Sequence, residues 1–320
     1  MTIHLVSRSG ASIVLGLMVG LTSVPDAAAD RPPASAGRSL DCRYAAIQPR
    51  ESAWEPGERV PEPFPADDVF RPLFADPKQP QFFATYQAVR VRDAKTAANV
   101  GSVGFGENFG FHTSRRGCDG WQVGILAGVF AQFDLDAASS DLINADYVIG
   151  IPLSWRSGAW SSRVRLYHQS SHLGDEFLLG RPGFNRVNLS FEEVEGILSY
   201  DHQWLRVYGG GGLLVHREPD LDRVRAQWGF ELRGASLRSP VLTEELPGLR
   251  MTPLMGADFK AFEELDWIVN SNVVAGFEWS REGAPRRFRF LVNYYHGFNP
   301  YGQFFAQKIE SVGAGLYLAF

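Results

Sequence analysis

The chain closes on SVGAGLYLAF at positions 311–320, where Val312, Ala314, Leu316, Leu318 and Phe320 recur at every second residue. Successive side chains of an extended strand point to opposite faces, so this stretch carries an unbroken apolar face up to its terminal aromatic residue. The same period runs through the chain from Phe82 onward. Trp121, Val123, Ile125, Ala127, Val129, Ala131, Phe133 and Leu135 form one such face, and Tyr147, Ile149, Ile151, Leu153 and Trp155 another. Val224, Ala226, Trp228, Phe230 and Leu232 repeat it, as do Phe288, Phe290, Val292 and Tyr294. The opposite faces carry Arg223, Arg225, Gln227, Glu231, Arg287, Arg289 and Asn293.

Composition narrows what such strands build. Of 320 residues 21% are charged and 13% aromatic, yet beyond the N-terminus no apolar run is long enough for a membrane helix. A net charge of −5 without a basic block argues against nucleic acid as a partner. Residues 1–29 read as a signal peptide: Arg8, an apolar stretch over 11–21, then Ala27, Ala28 and Ala29 before Asp30. Cys42 and Cys118 would then reach a compartment where disulfides persist, and neither has the nearby Cys or His that a metal site needs.

Counting alternating segments predicts about twelve strands, many of ten or more residues, longer than the five or six usual in a soluble sheet. Aromatics gather near strand ends, at Trp121, Phe133, Trp155, Trp160, Trp204 and Trp279, as an interfacial girdle requires. The closing strand resembles the C-terminal signature of bacterial outer-membrane barrels. The expected fold is therefore all-β, a transmembrane antiparallel barrel over residues 81–320, with membrane lipids and the outer-membrane assembly machinery as partners. Residues 30–80, rich in proline, are read as a periplasmic segment, because proline cannot donate to a ladder. Phe64, Phe70 and Phe74 leave open a second placement, inside or beneath the barrel.

An even strand count puts both ends of the chain in the periplasm and residues 173–184 in an extracellular loop. Residues 234–248 are then long for a periplasmic turn, and Glu107, outward by parity between Phe105 and Phe109, suggests a bulge. Gly209, Gly210, Gly211 and Gly212 lie within a strand and suit close packing better than a phosphate loop.

The chemistry sits on the fifth strand, WSSRVRLYHQS at 160–170, where Trp160, Val164 and Leu166 mark the lipid face and parity adds His168 and Ser170. Residues two apart on a strand are neighbours, so His168 and Ser170 can act as base and nucleophile. Asn185, expected at the start of the sixth strand with the parity of Val187, Leu189 and Phe191, would lie opposite His168. A His-x-Ser pair followed by Asn-Arg at the start of the next strand resembles outer membrane phospholipase A. That resemblance implies Ser170 as nucleophile, His168 as base and Asn185 as the residue holding the imidazole. Ser171 to Glu176 depart from the Asn-Gly-Arg that follows the serine in that family, although Asp175 and Glu176 are hard oxygen donors suited to Ca²⁺. Lipid A deacylases of the outer membrane share the His-x-Ser pair alone. Over most of its length, including Phe70-Arg71-Pro72-Leu73-Phe74 and residues 167–176, the chain resembles a bacterial family of exported barrel proteins of unknown function (DUF1207-like). The competing expectation is a non-enzymatic structural barrel or narrow channel with a lumen filled by charged side chains.

Overall fold

The structure, a computed structural model, describes residues 60–65, 68–241, 246, 248–281 and 286–319. The signal peptide, most of the proline-rich segment, Cys42, the turn at 282–285 and Phe320 lie outside the described residues. Twelve long strands form the wall. They are β1 (Phe82–Val91), β2 (Thr96–Arg116), β3 (Asp119–Asp134), β4 (Asp141–Ser157), β5 (Trp160–Leu173) and β6 (Leu189–His202). β7 (Leu205–Glu218), β8 (Val224–Arg233), β9 (Leu249–Phe262), β10 (Asn270–Arg281), β11 (Arg287–Phe298) and β12 (Lys308–Ala319) follow. Each pairs antiparallel with its neighbour in the chain, and β12 closes on β1 from Ile309 opposite Val91 to Leu318 opposite Phe82. The protein is a closed antiparallel barrel. Its lower end is taken here as the one where β1 begins and β12 finishes.

Local chemistry accounts for the departures from regularity. β2 and β3 slip register between Gly110 and His112, so the bulge lies beyond Glu107, which keeps its outward parity opposite Ala127. The long connection at 234–248 does not hang free: Leu237–Arg238 pairs with Arg250 and Met251 on the lower end of β9. Cys118, in the tight turn between β2 and β3, is disulfide-bonded. The glycine run of β7 packs against its neighbours, as its position in a strand implied. A Cβ on Gly210 would sit 1.9 Å from the Gly196 carbonyl oxygen of β6, and backbone cannot yield as a side chain can. Gly210→Ala is accordingly expected to lower stability by about 1–3 kcal/mol, the usual cost of overpacking, read as a drop in the urea midpoint of the detergent-solubilised barrel.

Burial is inverted relative to a water-soluble protein. Ile151 (61% exposed), Leu166 (50%) and Val312 (60%) face outward, while Arg163, Arg165, Glu195, Arg206, Glu231, Glu278 and Arg289 are buried within. An apolar outer face suits lipid, and inside, each charge needs a partner because desolvation without one is prohibitive. Arg163 (3.1 Å) and Arg165 (2.6 Å) share Glu195, and Arg206 lies 3.3 Å from Glu231.

The lumen is also filled by main chain. Residues 68–80, counted with the periplasmic segment in the sequence reading, run inside the barrel, which decides between the two placements that Phe70 and Phe74 allowed. Phe70, Leu73, Phe74 and Ala75 are almost wholly buried, whereas Phe64 stays exposed. The plug is tied to the wall all round. Arg71 pairs with Asp201, which also receives Arg156 at 3.1 Å. The Phe74 N–H donates to Glu231 (2.6 Å), and Asn272 Nδ2 donates to the Ala75 carbonyl (2.8 Å). Asp76 holds Lys260 at 2.6 Å, and Lys78 reaches Asp146 at 2.6 Å while lying 4.2 Å from the centre of the Phe130 ring. Arg163 and Arg206 lie over the Phe70 ring at 5.0 and 4.7 Å. The prolines at 72, 77 and 80 suit a segment that crosses the lumen without joining a ladder.

Candidate active site

On β5, Ser161, Arg163, Arg165, Tyr167, Gln169 and Ser171 are buried toward the lumen, and Trp160, Val164, Leu166, His168, Ser170 and His172 turn outward. His168 and Ser170 therefore share the lipid-facing side, as their parity implied, near the upper end of the strand. Below them the wall is apolar: Ile149 is paired with His168, Tyr147 with Ser170, and Leu166 and Val194 lie one pleat lower.

The partner of the histidine differs from the expectation. β6 begins at Leu189, leaving Asn185 exposed in the connection, and the residue opposite His168 is Glu192. The reason is parity. Leu189 and Phe191 were taken as lipid-facing, but they are 4% and 3% exposed and join Leu126, Phe130, Val148, Tyr167, Leu214 and Tyr301 in an apolar cluster inside the upper lumen. Outward positions on β6 are Glu192, Val194 and Leu198, with Glu193 and Glu195 inward. Extrapolating back from Val194 and Leu198, whose apolar parity is unambiguous, identifies Glu192. His168 Nδ1 lies 2.8 Å from Glu192 Oε1, and His216 Nδ1 of β7 lies 2.7 Å from Oε2 of the same carboxylate. His216 is brought there by a register shift between β6 and β7, in which Glu193 faces Leu214 and Glu192 faces His216, skipping Val215. No periodicity in the sequence announces that bulge.

Nδ1 held by a carboxylate leaves Nε2 of His168 as the nitrogen able to take a proton. Ser170 stands two residues along the same face, its Oγ not hydrogen-bonded to the imidazole in this resting structure. Such contacts commonly close only when substrate is bound. Asp175 and Glu176 do not fit a calcium site. Both are exposed at the start of the short helix Asp175–Leu179, and among the described residues no group of three or more His, Cys, Asp or Glu is arranged to hold a metal ion.

Solved structures share the architecture. Outer membrane phospholipase A from Escherichia coli superimposes with a TM-score of 0.50 at 12% identity, covering 88% of this chain and 98% of that one. The Salmonella typhi outer membrane phospholipase, solved as a dimer with bound calcium, gives 0.49 at 11% identity, with coverages of 89% and 99%. LpxR from Salmonella typhimurium gives 0.38 at 10% identity, with coverages of 74% and 99%. At these identities the likeness is one of fold, that of bacterial outer-membrane β-barrels. No curated protein matches the chain at a significant level. A family profile described as "Protein of unknown function (DUF1207)" matches residues 29–320, and the chain belongs to that family.

Proposed function

We propose that the protein is a serine-dependent lipid acyl-ester hydrolase acting at the outer leaflet, with the upper end of the barrel facing the cell exterior. The observation that carries this reading is the carboxylate-bound histidine beside a serine on the lipid-facing wall, at the level where an apolar surface gives way to polar residues. There a lipid's ester carbonyl meets Ser170 while its acyl chain lies along Ile149, Ile151 and Leu166. Ser170 Oγ attacks the carbonyl carbon as His168 Nε2 takes the hydroxyl proton, and Glu192 stabilises the resulting imidazolium through Nδ1. Collapse of the tetrahedral adduct breaks the ester C–O bond, and the leaving alkoxide receives that proton. Water, deprotonated by His168, then attacks the acyl-serine and releases the fatty acid. Glu192 takes the positioning role that the phospholipase resemblance gave to Asn185.

The test is turnover of phospholipid and of lipid A by the detergent-solubilised protein. Ser170→Ala and His168→Ala are expected to lose about a thousandfold or more in kcat, and Glu192→Gln a comparable factor by failing to hold the charged imidazole. Asn185→Ala should retain full turnover. Equal rates for wild type and Ser170→Ala would overturn the reading.

A further inference from the structure

Attack by Ser170 on an ester puts a negative charge on the carbonyl oxygen, and a hydrogen-bond donor aimed at that oxygen is commonly the largest single contribution to such catalysis. On this wall the backbone does not supply it. β4 and β6 both pair with β5 without a break in register through residues 169–171. The N–H groups of Ser170 and its neighbours are therefore committed to the ladders, and the donor has to be a side chain on the outer face.

Ser190 of β6 stands directly opposite Ser170. It is two residues before Glu192 on the same outward face, so His168 beside Glu192 and Ser170 beside Ser190 form one compact block. Side chains facing each other across antiparallel strands have Cβ atoms about 4.5–5.5 Å apart, which puts an oxygen on the carbon bound to Ser170 Oγ within reach of the Ser190 hydroxyl. Ser190 is partly exposed, and among the described residues neither its hydroxyl nor that of Ser170 has a hydrogen-bond partner. Glu218, opposite Ser190 on β7, is exposed and makes no hydrogen bond to it. The residue on the other side of Ser170 is Tyr147 of β4, whose ring packs edge-on against His172 with 5.6 Å between ring centres. A phenol carries its hydroxyl at the far end of a ring, whereas the Ser190 hydroxyl is one bond from Cβ, at the same height above the wall as the attacking Oγ.

From this register we infer that Ser190 is the oxyanion donor of the site, a catalytic residue alongside Ser170 and His168. The inference rests on the hydrolase reading. As the Ser170 Oγ–C bond forms, the carbonyl π electrons move to oxygen, and the Ser190 O–H donates to that oxygen while keeping its proton. When the adduct collapses the electrons return, the C=O is restored and the bond to the leaving alcohol breaks. The same hydrogen bond serves the second adduct, formed by water on the acyl-serine.

The experiment compares Ser190→Thr with Ser190→Val in the full-length, detergent-solubilised protein, each checked for barrel closure by its heat-dependent gel shift. Thr and Val have nearly the same shape and both suit a strand, so the pair isolates the hydroxyl. Ser190→Thr is expected to keep kcat on phospholipid within about threefold of wild type and Ser190→Val to lose about a hundredfold. KM should change little in either, because the hydrogen bond strengthens only as charge develops. Tyr147→Phe should leave kcat unchanged. An alkyl fluorophosphonate, from which a serine Oγ displaces fluoride at phosphorus, should label Ser170 in the wild type and label it more slowly in Ser190→Val. Equal kcat in the Thr and Val variants of an active enzyme overturns the oxyanion role and leaves the hydrolase reading standing. Label found on Ser190 instead of Ser170 makes Ser190 the nucleophile and overturns it too, as does a larger loss in Tyr147→Phe than in Ser190→Val. A wild type with neither turnover nor label removes the hydrolase reading and this inference with it.

Discussion

Replacing residues 68–80 with a short Gly-Ser linker will convert a barrel silent in planar-bilayer recordings into one that shows discrete conductance steps. The expectation follows from what occupies the lumen. A barrel of twelve strands has a narrow interior, and here Phe70, Leu73, Phe74 and Ala75 fill part of it with main chain on all sides tied to the wall. Removing the plug takes away the guanidinium of Arg71, the carboxylate of Asp76 and the ammonium of Lys78 along with the apolar volume. Lys260 then loses its Asp76 partner and Asp146 its Lys78 partner, so both regain hydration only if water enters. That need drives the lumen to fill with water, and the charged wall of Arg163, Arg165, Glu193 and Glu195 becomes the lining of a pore. A shift in mobility between unheated and heated samples on an SDS gel checks that the deleted protein still closes as a barrel. Conductance of equal size in wild type and the linker variant would refute the plug's blocking role.

Glu278→Ala is expected to be the most damaging single substitution in the wall. Its side chain is fully buried, and Arg233, Arg287 and Arg289 all depend on it. Breaking one buried ion pair by removing a partner costs about 3–5 kcal/mol, and here Arg233, Arg287 and Arg289 lose the same carboxylate at once. The loss is comparable to the total stability of many domains, so the variant should fail to show the heat-dependent gel shift of a folded barrel. Glu278→Gln keeps the shape and the acceptor oxygen but not the charge, and should recover only part of the stability. A folded Glu278→Ala protein with an unaltered unfolding midpoint in urea would show that the arginines have other partners sufficient to hold them.

The extent to which each feature was legible follows from the range of the interaction behind it. Alternation from Trp121 through Tyr294 is a property of single strands, so an approximate strand number, closure at β12 and the outward faces of strands other than β6 were readable. His168 and Ser170 fell on the correct face for the same reason, because Trp160, Val164 and Leu166 fix the parity of β5. β6 misled because apolar residues have two uses in this protein. Leu189 and Phe191 look lipid-facing, yet they pack inside the upper lumen against Tyr167 and Leu214, and with that inversion Asn185 took the place that belongs to Glu192.

The sequence by itself determined a twelve-stranded barrel with an apolar exterior, a charged interior and a His-x-Ser pair on its lipid face, because period-two patterning is local and each strand reports its own two faces. Only the tertiary structure decided that residues 68–80 enter the lumen, that Glu192 and not Asn185 holds His168, and that a bulge at Val215 delivers His216 to the same carboxylate. Each of these depends on which residues meet across strands or across the lumen, and those meetings are set by register, bulges and long-range ion pairing, none of which leaves a periodic trace along the chain.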